Sequence, residues 1–206
     1  MRLTTTEMNI LELFVPDISL QLSINAIAKK LKKHYRVTRV NVLSLVKKNL
    51  LQSNLLAGAK VITLNLKEVT FPAYMAYVEE PSAYQKITKQ LPQMEDIIKA
   101  AKAISPSFCL GVFGSYANNT QKKGSDIDIF IMCESSTLKQ YQQLIHQFPT
   151  VEDLIDWNVF TLDEFKNGLK TKGTLIYKEI LRNKMILHGA TIFYNLIAEV
   201  GAIEKD

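Results

Sequence analysis

The sequence predicts a mixed α/β (α+β) protein built from two regions. Apolar residues recur at helical spacing before residue 50, whereas residues 50–66 and 109–133 contain short apolar runs bounded by polar or glycine-containing turns. Helical periodicity returns after the later runs, which is typical of a sheet flanked by helices. The predicted domains are residues 1–68 (three helices and a hairpin), residues 69–92 (a helical linker) and residues 93–206 (a mixed sheet with helices).

Three helices are predicted in the N-terminal third. Thr6 is a suitable cap for the first helix, which ends at Pro16, and Ser23 is a suitable cap for the second. The third helix is expected to begin near Thr38. Its predicted buried residues are Val42, Leu43 and Val46.

Residues 50–66 predict two short strands joined near Ala57 and Gly58, which together form a wing-like hairpin. Three helices followed by such a hairpin resemble a winged helix-turn-helix module. This resemblance implies that the third helix enters a DNA major groove. The residues expected to contact nucleic acid are Arg36, Thr38, Arg39, Asn41, Ser44, Lys47 and Lys48. The alternative is a basic three-helix bundle that serves as a docking platform.

Charge is distributed unevenly along the chain. Residues 1–70 contain 11 Lys and Arg against 4 Asp and Glu, a net charge of +7, whereas residues 71–206 carry a net charge of −2. A basic segment of this kind favours a polyanionic partner. We therefore expect DNA or structured RNA to bind through residues 1–68.

The remaining elements follow from periodicity and capping signals. Pro72, Pro81 and Pro92 punctuate the linker, in which residues 73–78 are expected to form a short packed helix. Thr161 and Glu164 form a capping box that starts a helix. Further helices are predicted over residues 94–104, 137–147 and 175–182 and around Ile192 to Ile197, and strands over residues 109–113 and 151–160 and in the run that starts at Asp126.

Two strands carry a pattern that points to phosphate chemistry. The apolar run that ends at Phe113 stops at Gly114 and Ser115, and the next run carries Asp126 and Asp128 on alternate positions. Alternate side chains of a strand share a face, so these two carboxylates can bind one cation. Mg²⁺, which prefers oxygen ligands, is the natural candidate. Glycine has no Cβ, so the backbone at residue 114 can come close to phosphates.

The spacing of these residues resembles the signature of the polymerase-β-type nucleotidyltransferase superfamily, and most of all its minimal prokaryotic members. Gly114-Ser115, ten intervening residues and Asp126-Ile127-Asp128 carry the resemblance, which covers roughly residues 90–190. It implies a mixed sheet flanked by helices, a two-metal Mg²⁺ site, and contacts from Gly114 and Ser115 to a nucleoside triphosphate. The implied reaction transfers a nucleoside monophosphate to an acceptor hydroxyl and releases pyrophosphate.

Family members also carry a third carboxylate on a neighbouring strand, which helps to activate the acceptor. Asp156 is the only acid inside the apolar part of the next predicted strand and is the first candidate, for both metal binding and catalysis. Asp153 is the alternative. A third reading is that no further acid functions and that Asp156 faces solvent on a strand edge.

The sequence departs from the family pattern at Asn118 and Asn119, where relatives often have Arg-Gly or Lys-Gly. The departure removes one cation near the phosphates. Lys122 and Lys123 follow in the same loop and are candidates for phosphate contact. The alternative is that both lysines belong to a solvated loop.

A competing interpretation is non-catalytic. It takes the chain as a DNA-binding regulator with a nucleotide-sensing or degenerate transferase domain, or as an antitoxin-like protein, and it leaves a protein partner or a homodimer open. No stretch approaches 18 uninterrupted apolar residues and no signal-peptide pattern follows Met1, so we expect a cytoplasmic protein without a membrane partner. The two cysteines and three histidines lack zinc-site spacing.

Overall fold

A computed structural model describes residues 2–56, 58–122, 124–171 and 175–201. The helices are α1 (Thr5–Glu12), α2 (Ile24–Lys30), α3 (Tyr35–Lys47), α4 (Phe71–Gln90), α5 (Met94–Ile104), α6 (Gly114–Asn118), α7 (Leu138–Leu144), α8 (Leu162–Lys170), α9 (Leu175–Arg182) and α10 (Ala190–Val200). The strands are β1 (Leu51–Leu56), β2 (Ala59–Leu64), β3 (Phe108–Phe113), β4 (Ile127–Cys133), β5 (Ile155–Thr161) and β6 (Lys184–His188).

The first two helices begin at side-chain caps. Helix α1 is capped by Thr4, so the prediction of Thr6 was wrong by two positions. The reason is the acid three residues later: the Thr4 hydroxyl accepts the Glu7 amide at 3.2 Å, and the Glu7 carboxylate accepts the Thr4 amide at 2.7 Å. The Ser23 cap of α2 is confirmed, with its hydroxyl accepting the Ala26 amide at 3.1 Å.

Helix α3 begins at Tyr35, three residues before the predicted start. Its buried face is formed by Thr38, Val42 and Leu45, which recur at the spacing of helical turns. Leu43 was predicted to be buried but is 41% exposed, because it lies about one hundred degrees around the helix from Val42. Val42 is buried as predicted and Val46 packs partly buried against the core, so the prediction was wrong at Leu43 and missed Thr38 and Leu45.

The predicted hairpin is present. Strands β1 and β2 pair in antiparallel register, with Leu51 opposite Leu64, and an isolated antiparallel bridge joins Leu22 to Ile62. Three helices and a hairpin thus occur in the predicted order. The likeness of this arrangement to a winged-helix module stays a prediction.

Helix α4 is much longer than the short helix expected in the linker, since it runs without interruption through Pro81. Phe71 and Met75 in its first half belong to the same hydrophobic cluster as Ile10 and Phe14 of the N-terminal region, whereas the later buried residues of α4 pack in the cluster that contains α5. The segment is therefore a packed part of the core. In the described part of the chain, not even this helix is long and apolar enough to cross a membrane.

The larger sheet has four strands in the order β5-β4-β3-β6 and is mixed. Strand β3 pairs antiparallel with both β4 and β6, whereas β4 and β5 are parallel. The predicted bounds of α5 and α9 are confirmed. Strand β6 was not predicted, because its five residues directly follow a helix with no glycine or proline between them.

Both faces of this sheet are covered. Ile127, Ile129 and Ile131 of β4 pack on the side of α5 and α7. Phe130 and Met132 pack on the opposite side, in the cluster that also contains residues of α4, α8 and α10. The alternation of side chains along β4 places Asp128 on the face of Phe130, next to the beginning of the strand.

Candidate nucleotide-binding site

The three acids singled out in the sequence lie at the end of the sheet where strands β4 and β5 begin. Asp128 and Asp156 are register partners of these parallel strands, so their side chains point to the same face. Asp126 lies just before β4 and is exposed, while Ile127 between the two acids is buried at 5% exposure. The predicted alternation of carboxylate and core residue is confirmed at Ile127.

The Gly-Ser turn lies directly against Asp128. Gly114 has a φ of +65°, and a Cβ built on it would stand 2.4 Å from Asp128 Oδ2. Only glycine therefore leaves room for this carboxylate while also adopting the left-handed backbone conformation without strain. The fold thus brings together two motifs that are separated by more than ten residues in sequence.

One group expected to face phosphate is used within the protein. The Gly114 amide donates to the Asn183 carbonyl at 3.2 Å, so it is not available to a ligand in this conformation. Ser115 follows in α6, with a partly buried side chain. The phosphate contact predicted for its hydroxyl stays a prediction.

The electrostatic surroundings of Asp128 are unfavourable for a lone carboxylate. Partial burial raises the pKa of Asp128, and the negative charges of Asp156, Glu179 and Asp126 raise the pKa further. Glu179 was missed in the sequence, where it appears as an ordinary exposed acid of α9. The unpredicted strand β6 follows α9 directly, and missing that strand hid the approach of this helix to the site.

These residues fit magnesium only in combination with a ligand. Carboxylate oxygens are the donors that Mg²⁺ prefers, and a cation would relieve the repulsion around Asp128. Among the described residues, however, no three His, Cys, Asp or Glu side chains lie close enough to hold a metal ion. Mg²⁺ in nucleotide enzymes is commonly held by one or two carboxylates together with substrate phosphates. The donor set fits this shared arrangement and does not form a closed protein cage.

The two candidates for the third acid differ in position. Asp156 lies in β5, opposite Asp128. Asp153 lies in a short 3₁₀ turn (Glu152–Leu154) that precedes β5, and it is exposed. The geometry therefore favours Asp156 as the acid that accompanies Asp128.

The loop that departs from the family pattern has a structural explanation at one position. Asn119 ends α6 in the left-handed conformation, with a φ of +56°. Asparagine tolerates this conformation better than most residues, so it can stand where relatives have glycine. Asn118, the last residue of α6, is exposed and has no such role.

Lys122 lies in the turn that leads into β4. Its amide donates to the Ser125 hydroxyl at 3.0 Å, and the Ser125 amide donates to its carbonyl at 3.1 Å. The side chain is exposed and forms no ion pair with the part of the chain that the structure describes. Lys123, the other predicted phosphate contact, lies outside the described residues.

The predicted nucleic-acid contacts on α3 and at its C-terminal cap, Lys48, fall into three groups. Arg36, Arg39 and Lys47 are exposed. Thr38 is fully buried, and its hydroxyl donates to the His34 carbonyl at 3.2 Å, so the prediction that it contacts nucleic acid was wrong.

Three further polar candidates, on α3 and at its C-terminal cap, are tied to α1 and the residues before it. The Lys48 ammonium donates to Glu7 at 2.6 Å, and the Ser44 hydroxyl donates to the same carboxylate oxygen at 2.6 Å. Asn41 accepts the Thr4 hydroxyl at 3.1 Å and donates to the Val37 carbonyl at 2.9 Å. These side chains hold the N-terminal helices together, and the exposed basic residues are better placed to meet a polyanion.

Comparison with known proteins supports the interpretation of the sheet region. Residues 94–186, just under half of the chain, match the family model described as the nucleotidyltransferase domain. The four-stranded mixed sheet flanked by helices agrees with that fold. Comparisons with curated proteins and with solved structures each gave no match.

Proposed function

We propose that the nucleotidyltransferase domain at residues 94–186 moves a nucleoside monophosphate from a Mg²⁺-bound triphosphate to an acceptor hydroxyl. In this reaction a bond forms between the acceptor oxygen and the α-phosphorus, the bond to the β-phosphate oxygen breaks, and pyrophosphate leaves. The observation that carries the proposal is the position of Asp128, against Gly114 and opposite Asp156. At this position a candidate cation ligand, the Gly114 turn and a second acid lie together.

Asp126 and Asp128 are the residues that would hold magnesium, in one or two ions shared with the triphosphate. The metal, when bound, neutralises phosphate charge and stabilises the leaving oxygen. The crowded negative charge around Asp128 supports this role, because the carboxylates repel each other when no cation is present. Asp156, the register partner of Asp128 on β5, is the candidate for a further ligand of the same ion.

The phosphates lie, in this proposal, beside the Gly114 turn. The absence of a Cβ lets the Asp128 carboxylate lie against the Gly114 backbone, so that a cation held by Asp128 and the phosphates bound to it would lie beside this turn. The Ser115 hydroxyl donates a hydrogen bond to a phosphate oxygen, and the exposed Lys122 side chain contributes positive charge from the neighbouring turn. Lys123 remains a candidate for the same contribution.

Asp156 is the proposed base for the acceptor. It is exposed, as a group that must meet a second substrate has to be, and it lies opposite the metal ligand Asp128. In the ionised form it accepts the proton that the acceptor hydroxyl loses as the new ester bond forms. Glu179, the fourth acid near Asp128, is not required for this scheme.

Two labelled substrates test the reaction. With triphosphate labelled at the α-phosphate, wild-type protein should transfer label to a component of an acceptor mixture of tRNA, protein and small hydroxyl compounds. With the γ-phosphate labelled, no transfer should occur, since the γ-phosphate leaves in pyrophosphate. The Asp126→Ala/Asp128→Ala variant should be inactive and Asp153→Asn active. Transfer of the γ-label, or transfer unaffected by the double substitution, would contradict the proposal.

We also propose that the N-terminal region binds DNA or structured RNA. Arg36, Arg39 and Lys47 on α3 are exposed, and residues 1–70 carry a net charge of +7. Lys29 and Lys30 at the end of α2, and Lys32 and Lys33 just after it, are exposed too. Such a surface either brings the catalytic domain to a nucleic acid acceptor or belongs to a nucleic-acid-binding regulator that transfers no nucleotide. Salt-dependent binding of a labelled duplex, measured with and without label transfer, separates the two.

A further inference from the structure

A buried ion pair lies between the N-terminal part of the chain and the sheet. Glu79 of α4 and Lys184 of β6 are 3% and 2% exposed. The Lys184 ammonium lies 3.3 and 3.4 Å from the two carboxylate oxygens of Glu79. It also donates to the Tyr194 hydroxyl of α10 at 3.3 Å, and that hydroxyl in turn donates to Glu79.

The same ammonium reaches the N-terminal region. Lys184 Nζ donates to the backbone carbonyl of Val15, just after α1, at 2.9 Å. A lysine ammonium has three N–H donors, and here Glu79, Tyr194 and Val15 provide acceptors for all of them. The side chain therefore fixes the distance between the chain after α1 and strand β6.

The other end of this connection is the Gly114 turn. Lys184 is the register partner of Phe113, the residue before Gly114. The carbonyl of the preceding residue, Asn183, accepts the Gly114 amide at 3.2 Å. Glu79 also accepts the Ile186 amide at 2.9 Å, so the ion pair holds β6 through its backbone as well.

We propose that Glu79 and Lys184 are positioning residues which couple the N-terminal region to the Gly114 turn of the nucleotide site. The inference rests on the proposed function insofar as that turn binds nucleotide. In this inference the N-terminal region positions the Gly114 turn through contacts of Val15, Lys184 and Asn183. A change in the packing of α1 would therefore alter the contact between the Gly114 backbone and the Asp128 carboxylate.

A purely stabilising role is a weak explanation for this pair. A buried ion pair gains little over well-packed apolar residues of similar size, because both charges must be taken out of water. An apolar pair would fill the space but would leave the Val15 carbonyl without its donor. The directed contacts of Lys184 are what an apolar replacement cannot supply.

The test compares Lys184→Met, Glu79→Gln and the double variant with wild type. Tyr141→Phe serves as the control, because it removes buried hydrogen bonds to Ala101 and Ser105 on the opposite face of the sheet. Three properties are measured on the full chain: thermal unfolding, amide hydrogen exchange of Gly114 by NMR, and affinity for ATP with Mg²⁺. The first reports stability, the second reports the turn, and the third reports the site.

The single variants leave one buried group without its partner, and we expect them to unfold at lower temperature. The double variant removes both charges, so its unfolding temperature should recover toward wild type. Amide exchange of Gly114 should nevertheless remain at least about tenfold faster than in wild type in all three variants. The two variants without Lys184 lose the hydrogen bond to Val15, and Glu79→Gln weakens the position of the ammonium that makes it. ATP affinity should fall by about fivefold or more, a loss that corresponds to roughly 1 kcal/mol.

Two outcomes would overturn the coupling. One is Gly114 exchange that recovers together with stability in the double variant, which indicates a structural role alone. The other is exchange no faster than in Tyr141→Phe at matched stability. If wild-type protein binds no nucleotide, the proposed function fails, while the exchange measurement still decides whether the coupling exists.

Discussion

Asp128 and Asp156 occupy paired positions on the parallel strands β4 and β5, with the backbone of Gly114 packed against the Asp128 carboxylate. The pairing places both acids on one face of the sheet, although they are far apart in sequence. Both carboxylates are negatively charged and repel each other. The arrangement therefore either binds a compensating cation or lowers the stability of the fold. Its consequences can be measured separately for stability and for activity.

The first prediction concerns Asp128→Asn. Removing the charge relieves repulsion from Asp156, Glu179 and Asp126, so thermal unfolding without metal should occur about 1–3 °C higher than in wild type. Label transfer should be lost, because a metal ligand is gone. A lower unfolding temperature together with retained transfer would show that Asp128 is neither repelled nor functional.

The second prediction concerns the acceptor base. Asp156→Asn should lower the turnover rate by about 10²–10⁴-fold while leaving nucleotide affinity nearly unchanged, since the residue acts on the second substrate. Asp153→Asn is the matched control, because Asp153 lies outside β5. Steady-state rates and equilibrium titration for both variants decide the matter. Equal rates for the two substitutions would remove Asp156 from the mechanism.

The third prediction compares two glycines with left-handed backbone, Gly114 and Gly124, whose φ angles are +65° and +85°. Alanine at either position costs about 1–2 kcal/mol of backbone strain. At residue 114 the new methyl group also meets Asp128, whereas at residue 124 nothing lies within 4 Å of it. Gly114→Ala should therefore be the less stable variant and should alone lose nucleotide binding. Equal free energies of unfolding and equal affinities would contradict the contact.

The fourth prediction separates two adjacent lysines. Lys47 is exposed, whereas Lys48 is paired with the buried carboxylate of Glu7. Lys47→Ala should weaken nucleic acid binding and reduce the slope of log affinity against log salt by about 1, with little effect on stability. Lys48→Ala should instead lower the free energy of unfolding by about 1–3 kcal/mol, because Glu7 loses its partner. The reverse pattern would exclude α3 as the binding surface.

The Glu7 pair also has a predictable pH dependence. Burial alone would raise the pKa of Glu7, but hydrogen bonds from Lys48, Ser44 and the Thr4 amide bring the pKa below its usual 4.5. A carboxyl with a lowered pKa in the folded state stabilises the fold above its unfolded pKa, and this contribution is lost as the pH falls through the folded value. Glu7→Gln should therefore be less stable than wild type at pH 7, and the difference should shrink as the pH falls below 4.5 and through the lowered pKa of folded Glu7. A difference that does not change with pH would contradict the shift.

Much of the fold could be read from local signals. Ser23 and the Thr161–Glu164 capping box act in the structure as predicted, since a cap depends on residues three positions apart. The bounds of α5 and α9 followed from apolar periodicity alone. Thr4 was missed because several threonines adjoin the start of α1, and only the one with Glu7 three positions later forms the reciprocal bonds.

The parts that failed depend on contacts between distant residues. Lys184 looks like a surface lysine in the sequence, yet Glu79, Val15 and Tyr194 surround it in the core. Thr38 looks like a polar residue of an exposed face, but it lies one helical turn before Val42, on the side of α3 that packs in the core. Single positions of this kind are set by how the elements pack, which periodicity does not encode.

In the proposed mechanism, the nucleotide and the carboxylates of Asp126 and Asp128 bind magnesium together. Isothermal titration of a nonhydrolysable ATP analogue, with and without Mg²⁺, into wild type and Asp126→Ala/Asp128→Ala tests it most directly. We expect metal-dependent binding in wild type and none in the double variant, whose fold, followed by circular dichroism, should be kept. The same metal-dependent affinity in both proteins would contradict it.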